Sequence, residues 1–215
     1  MSKEIRIDFV SDVSCPWCII GLKSLEQAID KIGEDVDVKL HFQPFELNPN
    51  MPAEGQDIAE HLAEKYGATA EQTARNREMI RARGAELGFE FNMAARSRIY
   101  NTFDAHRLLH WAELQGRQHA LKVALFELYF SKGESPASHE ALVRLAGEVG
   151  LDTEEAARIL ASDTYAAEVR EQERFYQQHG ISSVPAIIIN ERHLISGGQP
   201  PEVFEQALRQ IAAQA

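Results

Sequence analysis

Cys15 and Cys18 are the chain's two cysteines, and they stand together in Cys15-Pro16-Trp17-Cys18. A bridge between residues this close removes little entropy from the unfolded chain, so reactivity explains the pair better than stability does. Thiol-disulfide exchange uses such spacing: one thiolate forms a mixed disulfide, and a second thiol close by resolves it within the molecule. At the start of a helix, Cys15 would meet the positive end of the helix dipole and the unpaired N–H groups of the first turn, which favour a thiolate. Cys18, three residues on, falls on the same helix face and within the span a disulfide bridges. Cys15 is then the outer, attacking sulfur and Cys18 the resolving one. Pro16 suits the first helical position, where its missing N–H leaves no hydrogen bond unmade, and Trp17 offers an apolar lip to a peptide or thiol substrate.

Half a zinc site is the other chemistry a Cys-x-x-Cys offers, and His106 and His110 stand four apart in a helical stretch. No second Cys-x-x-Cys or compact knuckle accompanies the motif, and these histidines lie far along the chain, so no metal is expected. Asp12, three residues before Cys15, reads as a loop or cap residue rather than a proton relay.

The elements around the motif have the right order to position it. Glu4 to Val10 alternates, with Ile5, Ile7 and Phe9 on one side and Arg6 and Asp8 on the other, which predicts a strand. After a short loop, apolar residues at helical spacing from Ile19 to Ile32 predict a helix that opens at the cysteines and stops at Gly33. Val36 to Phe42 alternates again, leading into the turn-rich Asn48-Pro-Asn-Met-Pro52. The opening is therefore β-α-β. From about Asp57 to Gly180 the pattern is helical, enough for five to seven helices, with Ser138, Asp152 (with Glu155) and Ser162 as N-terminal caps. Within it Phe126, Tyr129 and Phe130 read as core, and Arg75, Arg77, Arg81 and Arg83 as a solvated face. Val184 to Asn190 and His193 to Ser196 then predict a hairpin, and Pro201 starts a last amphipathic helix. The expected fold is α/β, a β-α-β and a β-β-α unit with a large all-helical insertion: residues 1–56 and 180–215 form the first part and 57–179 the insertion.

Composition excludes several partners. Lys and Arg number 22 against 33 Asp and Glu, a formal charge of -11, so there is no broad basic face for nucleic acid. No run of about 18 apolar residues spans a membrane, and the first residues carry scattered charges where a signal peptide needs an apolar stretch, so a cytoplasmic location is expected. In a reducing cytosol a Cys-x-x-Cys is more often catalytic than structural.

Beyond the motif, Pro44-Phe-Glu-Leu-Asn-Pro49, Asn101-Thr-Phe-Asp-Ala-His-Arg-Leu108, Gly180-Ile-Ser-Ser-Val-Pro185 and Ile195-Ser-Gly-Gly-Gln199 follow in order. Together with Cys15-Pro-Trp-Cys18 they resemble the cytosolic FrnE-like branch of the DsbA family, nearly end to end. The resemblance implies a thioredoxin-like fold and makes Val184-Pro185 the cis-proline loop that faces the cysteines. On residues alone Pro185 reads as a strand-initiating proline and His106 as a helix histidine at a packing boundary. The resemblance adds Asn101 and His106 as secondary substrate-pocket residues.

The implied activity is a protein disulfide oxidoreductase or isomerase acting on protein or low-molecular-weight thiols and disulfides. It implies no tightly bound cofactor, with glutathione as a candidate co-substrate. A potential of about -120 mV against a cytosolic poise near -240 mV would hold the pair reduced by roughly four decades, which favours isomerase or reductase chemistry over net oxidation. Two alternatives remain open. Kappa-type glutathione transferases and 2-hydroxychromene-2-carboxylate isomerases resemble this fold but usually carry serine where Cys15 stands. A redox-silent interaction module with an acidic helical surface is the other.

Overall fold

The computed structural model describes residues 3–214. The first strand, β1 (Lys3–Ser11), runs into α1 (Pro16–Ile32), and β2 (Val36–Pro44) returns parallel to β1. At the other end of the chain, β5 (Ala186–Ile189) and β6 (His193–Ser196) form a hairpin followed by α9 (Pro201–Gln214). These strands make one sheet in the order β2-β1-β5-β6, with β5 antiparallel to β1.

The alternation in β1 decides what packs where. Ile5, Ile7 and Phe9 are wholly buried in the cluster that holds Ile19, Leu22 and Leu25 of α1 and Phe204, Leu208 and Ile211 of α9. On the opposite side Asp8 is buried as well, gripped by the Arg6 guanidinium and by the Gln43 amide, which donates at 2.8 Å.

Between β2 and β5 lie seven α-helices: α2 (Ile58–Tyr66), α3 (Ala70–Glu86), α4 (Phe103–Leu114), α5 (Gln118–Phe126), α6 (His139–Glu148), α7 (Thr153–Leu160) and α8 (Ala166–Gln178). A π-helical turn, Glu127–Ser131, extends α5, and Phe126, Tyr129 and Phe130 around it are buried as their spacing predicts. A two-residue ladder between β3 (Gln56–Asp57) and β4 (Arg98–Ile99) interrupts the helical stretch, a pairing too short to leave a periodic signal. Arg75, Arg81 and Arg83 pair with glutamates on α3's exposed surface, while Arg77 donates to the Met93 carbonyl.

Of the three helix caps predicted from the sequence, two hold. Ser138 accepts the Ala141 N–H, and Asp152 accepts those of Glu154 and Glu155, although Glu155 turns to Arg158 rather than back to the cap. Ser162 does not cap α8; it accepts from Thr164 N–H, and the helix begins only after Tyr165 at φ 63°. The cause is the buried Arg107 of α4, whose guanidinium draws in the carbonyls of Ile159, Ser162 and Thr164 and holds this segment as a turn.

Two close contacts tie the ends of the chain to each other. A Cβ on Gly198 would lie 3.0 Å from the Trp17 carbonyl oxygen and 3.2 Å from both the Trp17 ring and Ile20. A Cβ on Gly21 would lie 3.1 Å from the Pro185 ring. The loop after β2 is fastened differently: Glu46, from that loop, and Glu173 of α8 share Arg170, whose guanidinium also covers the Phe103 ring at 3.7 Å. One oxygen of each glutamate is buried without a hydrogen bond. Burial and then the Glu173 charge push the Glu46 carboxyl from its ordinary 4.5 up to about 8, against the pull of Arg170.

Gly198→Ala is expected to cost about 1–3 kcal/mol, because the added methyl meets backbone oxygen rather than a side chain that can swing away. Denaturant unfolding measures it, and an unchanged midpoint would show that the contact is slack. Glu46 makes a pH-dependent forecast: the native chain keeps a proton that the unfolded chain has lost between about pH 4.5 and 8, so stability falls as pH rises through that window. Glu46→Gln should therefore gain stability relative to the parent as pH rises from 5 to 9, on the order of 1 kcal/mol or more. Melting curves at the two pH values check the sign.

Candidate active site

Local geometry around the cysteines follows from the motif. Cys15 caps α1 in an extended conformation, with φ -93° and ψ 113°, and Pro16 takes the first helical position. The Cys15 N–H closes a turn onto the Asp12 carbonyl at 3.2 Å, and the Cys18 N–H donates to the Cys15 carbonyl at 3.1 Å. The two side chains thereby sit at successive depths. Cys15 is 4% exposed at the surface end, Cys18 is wholly buried one turn inside, and Pro16 and Trp17 beside them are half-buried. Burial pushes the Cys18 thiol well up, reinforced by its hydrogen bond to Cys15 and by that sulfur's charge.

Facing this pair is the loop before β5. The Val184–Pro185 peptide is cis, and the Val184 carbonyl oxygen lies 3.7 Å from Cys15 Sγ. Val184 is half-buried and Pro185 buried, with Gly21 of α1 pressed against the Pro185 ring. Six residues marked in the sequence thus converge: Cys15, Pro16, Trp17, Cys18, Val184 and Pro185.

Asn101 and His106 make no hydrogen bond to this group; the Asn101 amide and His106 Nε2 are engaged elsewhere. Asn101 Oδ1 accepts the Phe103 N–H at 2.9 Å, and its amide donates at 3.4 Å to the carbonyls of Pro49 and Met51. It joins the start of α4 to the turn after β2. His106 is buried, with Nε2 3.3 Å from Asp12 Oδ1 and 3.1 Å from the Phe45 carbonyl. Both neighbours are acceptors, so Nε2 is the protonated nitrogen that donates to them.

Asp12 has more to hold than a loop residue usually does. Its Oδ2 accepts the Leu47 N–H at 2.8 Å and the Ser14 hydroxyl at 3.0 Å, while Oδ1 faces His106. Burial works to raise this carboxyl, yet His106, the Leu47 N–H and Thr102 together hold it below its usual value. The buried carboxylate thus pins the motif's own loop, the loop after β2 and α4 at one point.

Two further side chains belong here that the motif did not announce. Gln118, the first residue of α5, pairs with the β2 edge through both ends of its amide, accepting from Phe42 N–H and donating to Phe42 O at 2.9 Å each. Lys122, one turn along α5, is completely buried, and its charge acts on Cys18, Asp12 and Cys15. Its signal in the sequence is a lysine inside the apolar run Leu121 to Phe126, four residues before the core Phe126. Among the described residues no group of three or more His, Cys, Asp and Glu is placed to hold a metal ion.

The comparisons with known proteins agree with this geometry. The model of the DSBA-like thioredoxin domain family matches residues 6–209. The uncharacterized protein YwbO of Bacillus subtilis is 30% identical over 205 residues, 95% of this chain and 96% of its own. A crystal structure of a probable DsbA oxidoreductase from Streptomyces coelicolor superposes with a TM-score of 0.92 at 36% identity, covering 98% of this chain and 91% of that one. The cytosolic disulfide reductase DsbM from Pseudomonas aeruginosa, in a structure with GSH, shares the fold at a TM-score of 0.65 and 17% identity, over 97% of this chain and 99% of its own. With a sheet, a helix-opening Cys-x-x-Cys and a cis-proline loop arranged around one another, the chain belongs to the DsbA-like thioredoxin family and is a disulfide oxidoreductase.

Proposed function

We propose that Cys15 forms the mixed disulfide and that Cys18 resolves it, in exchange with protein or low-molecular-weight thiols and disulfides. The observation that carries this reading is the placement of the two sulfurs: Cys15, at the start of α1, faces the Val184 carbonyl and keeps a trace of exposure, and Cys18 is sealed one turn further in with none. A substrate chain laid along the Val184–Pro185 loop would have its backbone beside that carbonyl and its sulfur above Cys15, in the manner of a strand added to a sheet edge. Trp17 and Pro16 supply the half-exposed apolar rim. Asn101 and His106 serve by fixing the loops that form the pocket, since the Asn101 amide and His106 Nε2 are taken.

No helix among the described residues is long and apolar enough to cross a membrane. We place the activity in the cytoplasm, on the FrnE-like branch that the sequence resembles, a reading that the cytosolic neighbour DsbM supports. Glutathione is the co-substrate that suits this setting, as a thiol small enough to reach Cys15; the glutathione-bound structure of DsbM supports the choice. Isomerase or reductase turnover follows from the reducing surroundings. A cysteine at position 15 favours exchange over the transferase and isomerase chemistry of serine-bearing relatives.

Replacing each cysteine in turn tests the division of labour. Cys18→Ser should accumulate mixed disulfides in cells and Cys15→Ser should not. With iodoacetamide at pH 7, the thiol left in Cys18→Ser should react at least about tenfold faster than the one left in Cys15→Ser, because Cys18 is buried and held protonated. Equal alkylation rates, or complexes trapped only by Cys15→Ser, would reverse the roles. Glutathione conjugation to an electrophile, with no complex trapped by either variant, would move the chain to the transferase reading.

A further inference from the structure

Lys122 presents a problem of charge. Its side chain has no exposed surface, and Nζ has no hydrogen-bond partner. The ammonium position lies over two aromatic faces, 5.0 Å from the Phe126 ring centre and 5.7 Å from that of Phe42. Burying a cation this way is costly unless something nearby returns the energy. Ring faces return part of it. Its other neighbours with charge are the Asp12 carboxylate and the two cysteines, and Asp12 is already satisfied by His106, Leu47 and Ser14.

The position is held firmly. Gln118 locks the first turn of α5 to the β2 edge at Phe42, and Phe42 pairs in register with Phe9 of β1. One helical turn beyond that clamp, Lys122 has no freedom to reach solvent. A cavity of about 10 Å³ beside it, lined by polar His106, His110 and Gln118 and by apolar Phe42 and Leu109, is at the lower limit of size for one water. The titratable groups around the amine are thus Cys18 of α1, Cys15 and Asp12 from the segment before it, and His106 and His110 of α4.

We propose that Lys122 is a positioning residue for the resolving step, the buried counter-charge that appears when Cys18 becomes a thiolate. The inference rests on Cys18 being the resolving thiol. In the mixed disulfide Cys18 gives up its proton while Lys122 takes one up, so the site passes from two neutral groups to a thiolate beside an ammonium. Cys18 Sγ then attacks Cys15 Sγ; the Cys15–Cys18 bond forms, the bond to the substrate sulfur breaks, and that sulfur leaves with the electron pair and takes a proton from water. With the thiolate consumed, the ammonium loses its partner and returns its proton to solvent. Burial lowers the amine to about 8, while the charges of Cys18, Asp12 and Cys15 work to raise it, so it can change state near neutral pH.

Lys122→Met removes the charge and keeps a straight apolar side chain of similar length. Each reduced protein is treated with one equivalent of 5,5′-dithiobis(2-nitrobenzoate), and the two releases of thionitrobenzoate are timed. The first reports attack by Cys15 and the second attack by Cys18. The variant should release the second chromophore at least about tenfold more slowly at pH 7, with a shifted pH profile, while its melting temperature does not fall, since a buried amine with no hydrogen-bond partner has been exchanged for an apolar group. An unchanged second release with the same pH profile would overturn the proposal while leaving the roles of the cysteines standing. A parent protein whose second release also occurs after Cys18→Ser substitution would overturn those roles themselves. Should Lys122→Met fail to fold, ε-carbon-labelled lysine in the parent decides: Lys122 should titrate at higher pH in the dithiol than in the disulfide form, and identical titrations would overturn the proposal.

Discussion

Everything at the reactive end of this molecule hangs on one buried carboxylate. Asp12 opens the turn that leads into α1, and through its two oxygens it holds Ser14 beside the cysteines, Leu47 in the loop after β2 and His106 on α4. These three segments are far apart in sequence; the first two leave the end of the β1–β2 ladder, where the Phe45 N–H donates to the Ser11 carbonyl, but no ladder joins α4 to either. A carboxylate can hold them at once because it accepts several hydrogen bonds, and those bonds offset the cost of its burial. The reactive sulfur is then carried by a rigid support: the Asp12 carbonyl takes the Cys15 N–H, and the Asp12 side chain fixes the ground on which that turn stands.

That arrangement explains why the helical stretch is more than an inserted cover. α4 contributes His106 to the Asp12 node, α5 contributes Gln118 to the sheet edge and Lys122 to the ring face of Phe42 in β2, and α8 contributes Arg170 to the Glu46 loop. Each contact reaches β1, β2 or the loops that leave them. An edge strand normally exposes its unpaired backbone groups, and here Gln118 satisfies those of Phe42 as a neighbouring strand would. The sheet that bears the redox pair is thus completed by side chains from the helices.

How much of this was legible in the residues depends on whether the signal was local. Alternation in β1 and β2, the helix opening at Cys15, the hairpin and the last helix all come from local periodicity and turn chemistry, and they appear where expected. Ser162 failed as a cap because Arg107, 55 residues away, claims the carbonyls around it. Asp12 read as a loop residue because neither Leu47 nor His106 is near it in sequence. The facing of Val184 to Cys15 came from family resemblance, since 169 residues separate the two and nothing in their spacing requires contact.

Lys122 shows what remains hidden and why. In a helix, one lysine in an apolar run usually extends its stem along the surface and leaves its charge in water. That escape is closed here by the register of α5 on β2, a tertiary fact set by Gln118 and by the packing of Phe42 and Phe126. The same helix carries both the clamp and the cation, four residues apart, so any change that slides α5 along the sheet edge also moves the charge relative to the sulfurs. A buried amine of this kind is poor support for stability, because an apolar side chain would fill the space without leaving a polar group unpartnered. Its energetic justification must come from a state in which the negative partner exists, and in this site that state is the thiolate that forms during exchange.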